Sequence, residues 1–154
     1  MLNGVQSVVL DLDGTLYDKT GLARRMVRRL WWCLPLLAAE RLARRNAHYV
    51  QFASEEEFFD FFFTSMARGH WWTAGMAATW YHRVYMPAML RLIKRYCHPR
   101  QEVMELIREA KEKGLRLAVY SDYGCVAEKL EALGIAPDMF DLLVAAPELG
   151  ALKP

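Results

Sequence analysis

The chain has 154 residues, 54% of them apolar and 25% charged, and a formal net charge of +2. That length can bury one real core, and the composition is that of a folded globular protein, which excludes a disordered chain. So small a net charge offers no case for nucleic acid as a partner. Cys33, Cys97 and Cys125 are odd in number and widely spaced. They lack metal-ligand spacing and read as reduced thiols of a cytoplasmic protein. No basic lead precedes Val8-Val9-Leu10 and carboxylates follow at once, so the amino terminus does not read as a signal peptide. The most membrane-like run, residues 30–39, contains Pro35 and is about half the roughly 20 residues that a span needs.

Val5 to Leu10 is short, apolar and without alternation, the pattern of a strand covered on both faces. It leads into Asp11-Leu12-Asp13-Gly14-Thr15. Side chains two apart on a strand share a face, so Asp11 and Asp13 are expected to point the same way. Paired carboxylates repel unless a cation offsets them. Mg2+ does this with oxygen ligands and keeps positions open for phosphate oxygens. Gly14 lets the backbone turn sharply. The plainer alternative is a strand followed by a polar Asp-Gly turn.

Residues 19–98 contain all five tryptophans, and their apolar spacing is helical. From Lys19 to His48 there are eight Lys or Arg and a single acid, Glu40. Arg24, Arg25, Arg28, Arg29 and Arg41, Arg44, Arg45 recur at three-and-four spacing, which places basic faces on one or two helices. Such a face is either simply solvated or attracts an anion. Trp31-Trp32 beside it keeps a membrane-surface partner open. Ser54 and Glu57 fit a capping box at the start of a helix running to Met66, where five phenylalanines imply burial on most sides. Residues 73–85 form a third helical pattern. Pro87 cannot continue its hydrogen bonding and is expected to start a separate helix, 88–96. The four histidines sit at no catalytic or metal spacing.

After His98 the pattern changes to α/β. A helix over 102–113 stops at Gly114, and a second strand, 115–120, ends at Ser121-Asp122. A helix over 126–133 closes at Gly134, and a third strand spans 142–145. The alternation predicts an α/β protein with a Rossmann-like parallel sheet of about three strands and its site at the strands' carboxyl ends. Ser121 can donate to a phosphate oxygen there. Asp122 reads as a loop residue near substrate, and Lys153-Pro154 follows the third strand.

Three landmarks in this order resemble the motifs of the haloacid dehalogenase-like hydrolase superfamily. They are the apolar strand with Asp11-Leu12-Asp13-Gly14-Thr15, Leu117-Ala118-Val119-Tyr120-Ser121, and Lys153-Pro154. The resemblance implies a Mg2+-dependent phosphatase-type hydrolase of small phosphorylated metabolites. It implies that Asp11 is the nucleophile, that Asp13 is the general acid/base, and that both contact Mg2+, Asp13 through its main-chain carbonyl. Ser121, Gly14 and Thr15 would meet the phosphoryl group, and Lys153 would neutralise its charge. Residues 1–18 and 99–154 would form the core and 19–98 an inserted helical cap.

The chain ends at Pro154, before the family's fourth motif, an acidic pair that completes the metal site. The expectation is therefore a truncated protein, impaired as a catalyst, with strand one as an open edge. A phosphotransferase or mutase of the same superfamily remains open, as does a non-catalytic module that binds through the basic, Trp-rich cap. The cap carries no motif that names a substrate or an oligomeric state.

Overall fold

Three parallel strands organise the α/β part of the chain. The computed structural model describes residues 5–48, 50–122 and 124–150. In it β1 (Ser7–Asp11), β2 (Arg116–Ser121) and β3 (Leu142–Ala145) form one sheet in the order β1-β2-β3. The register sets Asp11 opposite Tyr120 and Ser121 opposite Ala145. Both β1 and β2 run one residue beyond the apolar stretches that predict them. Asp11 and Ser121 are inside the ladder, because a parallel neighbour satisfies their backbone groups whatever the side chain.

Burial along β2 alternates, with Leu117, Val119 and Ser121 all buried. β1 differs from the expected doubly covered strand. Leu10 is buried, whereas Val9 on the other face is 66% exposed. β1 is the last strand on its side of the sheet.

The helix α6 (Gln101–Glu112) packs on β2 and buries Ile107 and Ala110. The helix α7 (Val126–Ala132) connects β2 to β3 and packs on β3. Asp141 closes the lower end of this pair. Its carboxylate accepts from the Leu117 N–H at 2.7 Å, while its own N–H donates to the Leu117 carbonyl at 2.8 Å.

The intervening segment is helical. It contains α1 (Leu22–Arg29), α2 (Leu34–Ala47), α3 (Glu55–Ala67), α4 (Ala74–Trp80) and α5 (Met86–Tyr96). In α3 the faces are less evenly covered than the phenylalanine count implies. Phe58, Phe62, Phe63 and Met66 are buried, and Phe59 and Phe61 are half-buried. The Ser54 cap forms, its hydroxyl accepting from the Glu57 N–H at 3.2 Å. The reciprocal bond runs from the Ala53 N–H to Glu57 at 2.7 Å, one residue earlier than a standard capping box.

Pro87 does not separate two helices. A π-turn, Tyr81–Tyr85, joins α4 directly to α5, with right-handed helical backbone at Tyr81 and Met86. The wider i→i+5 ladder just before the proline accommodates a residue that has no N–H to donate.

The chain packs as two compact units, Met1–Thr20 with Leu90–Ala145, and Gly21–Met89 with Ala146–Pro154. The first contains the sheet. The second contains α1 to α4, and within it the Phe52 N–H donates to the Gly150 carbonyl at 2.6 Å.

Candidate active site

The carboxyl ends of β1 and β2 lie side by side, so residues more than a hundred apart in sequence meet there. Beyond Asp11 the chain makes a tight irregular turn over Leu12–Leu16. Leu12 and Leu16 are buried and anchor it, while Asp13 (φ −84°, ψ 92°) and Gly14 (φ 105°, ψ −10°) leave helical geometry. The Gly14 conformation is one that a β-carbon disfavours, and it is what turns the chain back over the strand end. Two bonds from Arg100 hold the turn from outside. Its guanidinium donates to the Gly14 carbonyl at 3.1 Å and its N–H donates to the Leu16 carbonyl at 2.8 Å.

Asp13 is a heavily engaged carboxylate. The Ser121 hydroxyl donates to it at 2.5 Å and the Tyr17 hydroxyl at 2.7 Å. The Lys129 ammonium lies 3.0 and 3.1 Å from its two oxygens. The Lys129 side chain is fully buried and that of Asp13 is 9% exposed. Burial is the largest influence on the Asp13 carboxyl and opposes its ionisation. The Lys129 charge and the bonds from Ser121, Tyr17 and Lys129 together outweigh burial and hold its pKa below the ordinary 3.8.

Asp11 is half-buried at the end of β1 and accepts a bond from the Thr15 hydroxyl at 2.9 Å. Thr15 itself is exposed. Asp122 is half-buried just past β2. Lys153 lies outside the described residues. Asp13 and Ser121 therefore meet directly, and Asp11 meets Thr15.

Lys129, Tyr17 and Arg100 are the site residues that the sequence pattern does not single out. A signal for Lys129 exists. It falls on the stripe Val126, Lys129, Leu130, Leu133, which is otherwise apolar and is buried throughout. A lysine on the buried face of a helix requires a partner.

The donor chemistry fits a hard cation held in an open site. Mg2+ is usually bound by one or two carboxylates with substrate phosphate oxygens and water completing its shell. Asp11 offers such a carboxylate, whereas that of Asp13 is already matched by an ammonium. Among the described residues no group of three or more His, Cys, Asp or Glu side chains gathers to form a closed metal cage.

The profile of the haloacid dehalogenase-like hydrolases matches residues 5–154 of the chain. No curated protein sequence is significantly similar to it. Among solved structures, a mutant of CbbY from Rhodobacter sphaeroides in complex with xylulose-(1,5)bisphosphate superimposes with a TM-score of 0.60 at 22% identity, over 97% of this chain and 67% of that one. A predicted phosphoglycolate phosphatase from Haemophilus somnus 129pt gives 0.56 at 16% identity, over 100% and 68%. L-2-haloacid dehalogenase from Xanthobacter autotrophicus with chloropropionic acid covalently bound gives 0.52 at 16% identity, over 97% and 60%. At these identities the likeness is one of fold.

Proposed function

Because this chain belongs to the haloacid dehalogenase-like hydrolase family, we propose that it is a cytoplasmic, Mg2+-dependent phosphatase-type hydrolase of a small phosphorylated substrate. The reaction passes through an aspartyl-phosphate. The observation that carries this reading is the cluster of Asp13, Ser121 and Lys129 at the carboxyl ends of adjacent parallel strands. A hydroxyl, an ammonium and a carboxylate within bonding distance of one another are the groups that phosphoryl transfer needs for positioning, charge neutralisation and proton movement.

A carboxylate oxygen of Asp11 attacks phosphorus, and the bond from phosphorus to the leaving oxygen breaks. Asp13 delivers a proton to that oxygen. In the second half Asp13 takes a proton from water as the water attacks phosphorus, which frees the Asp11 carboxylate and releases phosphate. An incoming phosphate competes with Asp13 for the Ser121 hydroxyl and the Lys129 ammonium. Losing those partners raises the proton affinity of Asp13, which suits it to the acid role in the first half. Mg2+, held by the Asp11 carboxylate and the Asp13 main-chain carbonyl, would supply Lewis-acid neutralisation of the phosphoryl oxygens. Gly14 and Thr15 line the approach, Asp122 lies beside substrate, and Lys153 adds a second cation. Residues 1–18 and 99–154 form the catalytic core, and 19–98 form the cap that gates water and selects substrate.

The test is beryllofluoride binding followed by fluorine NMR, alongside phosphate release from a panel of sugar phosphates. Bound beryllofluoride that requires both Mg2+ and Asp11 is the expected result. Binding or turnover that persists in Asp11→Asn would overturn the assignment.

A further inference from the structure

We propose that the outward face of α1 and the turn after it dock on an anionic lipid surface. This inference is independent of the chemistry at Asp11. Leu22, Met26, Leu30 and Cys33 are buried and hold the segment to its own unit. On the opposite side of α1, Arg24, Val27 and Arg28 follow the spacing i, i+3, i+4 and are exposed, as is Trp31 in the turn just beyond the helix. Trp31 is 70% and Trp32 is 60% exposed, and Val27 and Leu34 are each 47% exposed.

Two adjacent tryptophans left in water are unusual, since this side chain is highly buried on average. An exposed apolar patch rimmed by charge marks an interaction site. Within residues 19–48 the exposed charge has one sign. Arg24, Arg28 and Arg29 are exposed, with no carboxylate partner among the described residues. The sole acid between Lys19 and His48 is Glu40, which is buried and bound to Arg44 at 2.6 Å. The surface of this segment therefore carries positive charge with no exposed acid to balance it. On α2 the exposed Arg41, Leu42 and Arg45 repeat the same mixture.

Indole rings favour the headgroup layer, where an apolar ring and a polar N–H are both satisfied. Arginine stems lie along apolar surface while their guanidinium groups reach phosphate. An anionic bilayer satisfies all of these groups together. Attachment would be interfacial. No helix among the described residues is long and apolar enough to cross a membrane.

The experiment is vesicle co-sedimentation of the 154-residue chain, with intrinsic tryptophan fluorescence as a second readout. Binding is expected to phosphatidylcholine–phosphatidylglycerol vesicles and not to pure phosphatidylcholine. It should weaken by about a hundredfold when Arg24, Arg28 and Arg29 are changed to serine. Trp31→Ser with Trp32→Ser should cost about tenfold or more. Asp11→Asn should bind vesicles as the parent does. Circular dichroism of each variant checks that the fold survives. Equal binding to both vesicle types, no binding, or binding unchanged in the tryptophan variant would each overturn the proposal. So would a lipid-free dimer that the tryptophan changes dissolve, which would assign the face to a second copy of the chain.

Discussion

The Lys129 ammonium sits 3.0 and 3.1 Å from the two carboxylate oxygens of Asp13, although the residues are 116 positions apart. The pair ties α7, beyond β2, to the turn that follows β1. It places a fixed positive charge in the middle of the candidate site. Neither partner is exchangeable alone, since a buried charge without its counter-charge costs more than the pair gains.

A double-mutant cycle measures that coupling. Lys129→Met and Asp13→Asn are each expected to destabilise the protein by about 3–5 kcal/mol, because each leaves an uncompensated buried charge. The double variant is expected to recover much of that loss. Urea unfolding of all four proteins provides the readout. Additive losses would show that the two side chains do not share a buried ion pair.

The acid limb of stability follows from the sign of the Asp13 shift. Its carboxyl is held below the usual value in the folded chain. The stability it contributes is fully present above the unfolded pKa of about 3.9 and is lost as pH falls through the lower folded value. The metal-free protein should lose stability below about pH 4, and Asp13→Asn should flatten part of that slope. Asp18, bonded to Thr20, and Glu109, bonded to Lys113, shift in the same direction at exposed positions. The difference between parent and variant, measured by urea midpoints against pH, isolates Asp13.

Gly14→Ala tests the turn. A β-carbon there would stand 3.0 Å from the Lys19 Cε, a flexible side chain that can move aside. The backbone at φ 105° cannot be relieved so cheaply. A loss of about 1–2 kcal/mol is expected. Beryllofluoride binding should fall further than stability alone predicts, because the turn carries Asp13.

Ser54→Ala removes the N-cap of α3, whose hydroxyl accepts from Glu57 at 3.2 Å. About 1 kcal/mol of stability should be lost, with Ser54→Asp restoring most of it. Thermal unfolding of the three proteins decides the matter.

Much of the architecture was legible because it depends on local pattern. The apolar runs that end at Asp11 and Ser121 predict two of the three strands, within a residue or two. Gly114 and Gly134, both at positive φ, mark helix ends as read. Pro87 was misleading. Its missing N–H is a local fact, but the helix continues through a π-turn in which Tyr81 and Tyr85 are buried. The exposure of Val9 was equally hidden, since periodicity describes a strand and not what lies across its face.

The sequence by itself determined the chemistry that can occur. It supplies two carboxylates, a hydroxyl and a glycine at the ends of apolar runs, and a family profile spans them. Only the tertiary structure decided which groups act on which. It gave Asp13 to Ser121, Tyr17 and Lys129, and Asp11 to Thr15. The reason is physical. Strand and helix periods are set by neighbours in the chain, whereas an ion pair across 116 residues exists only once parallel pairing has brought two strand ends together.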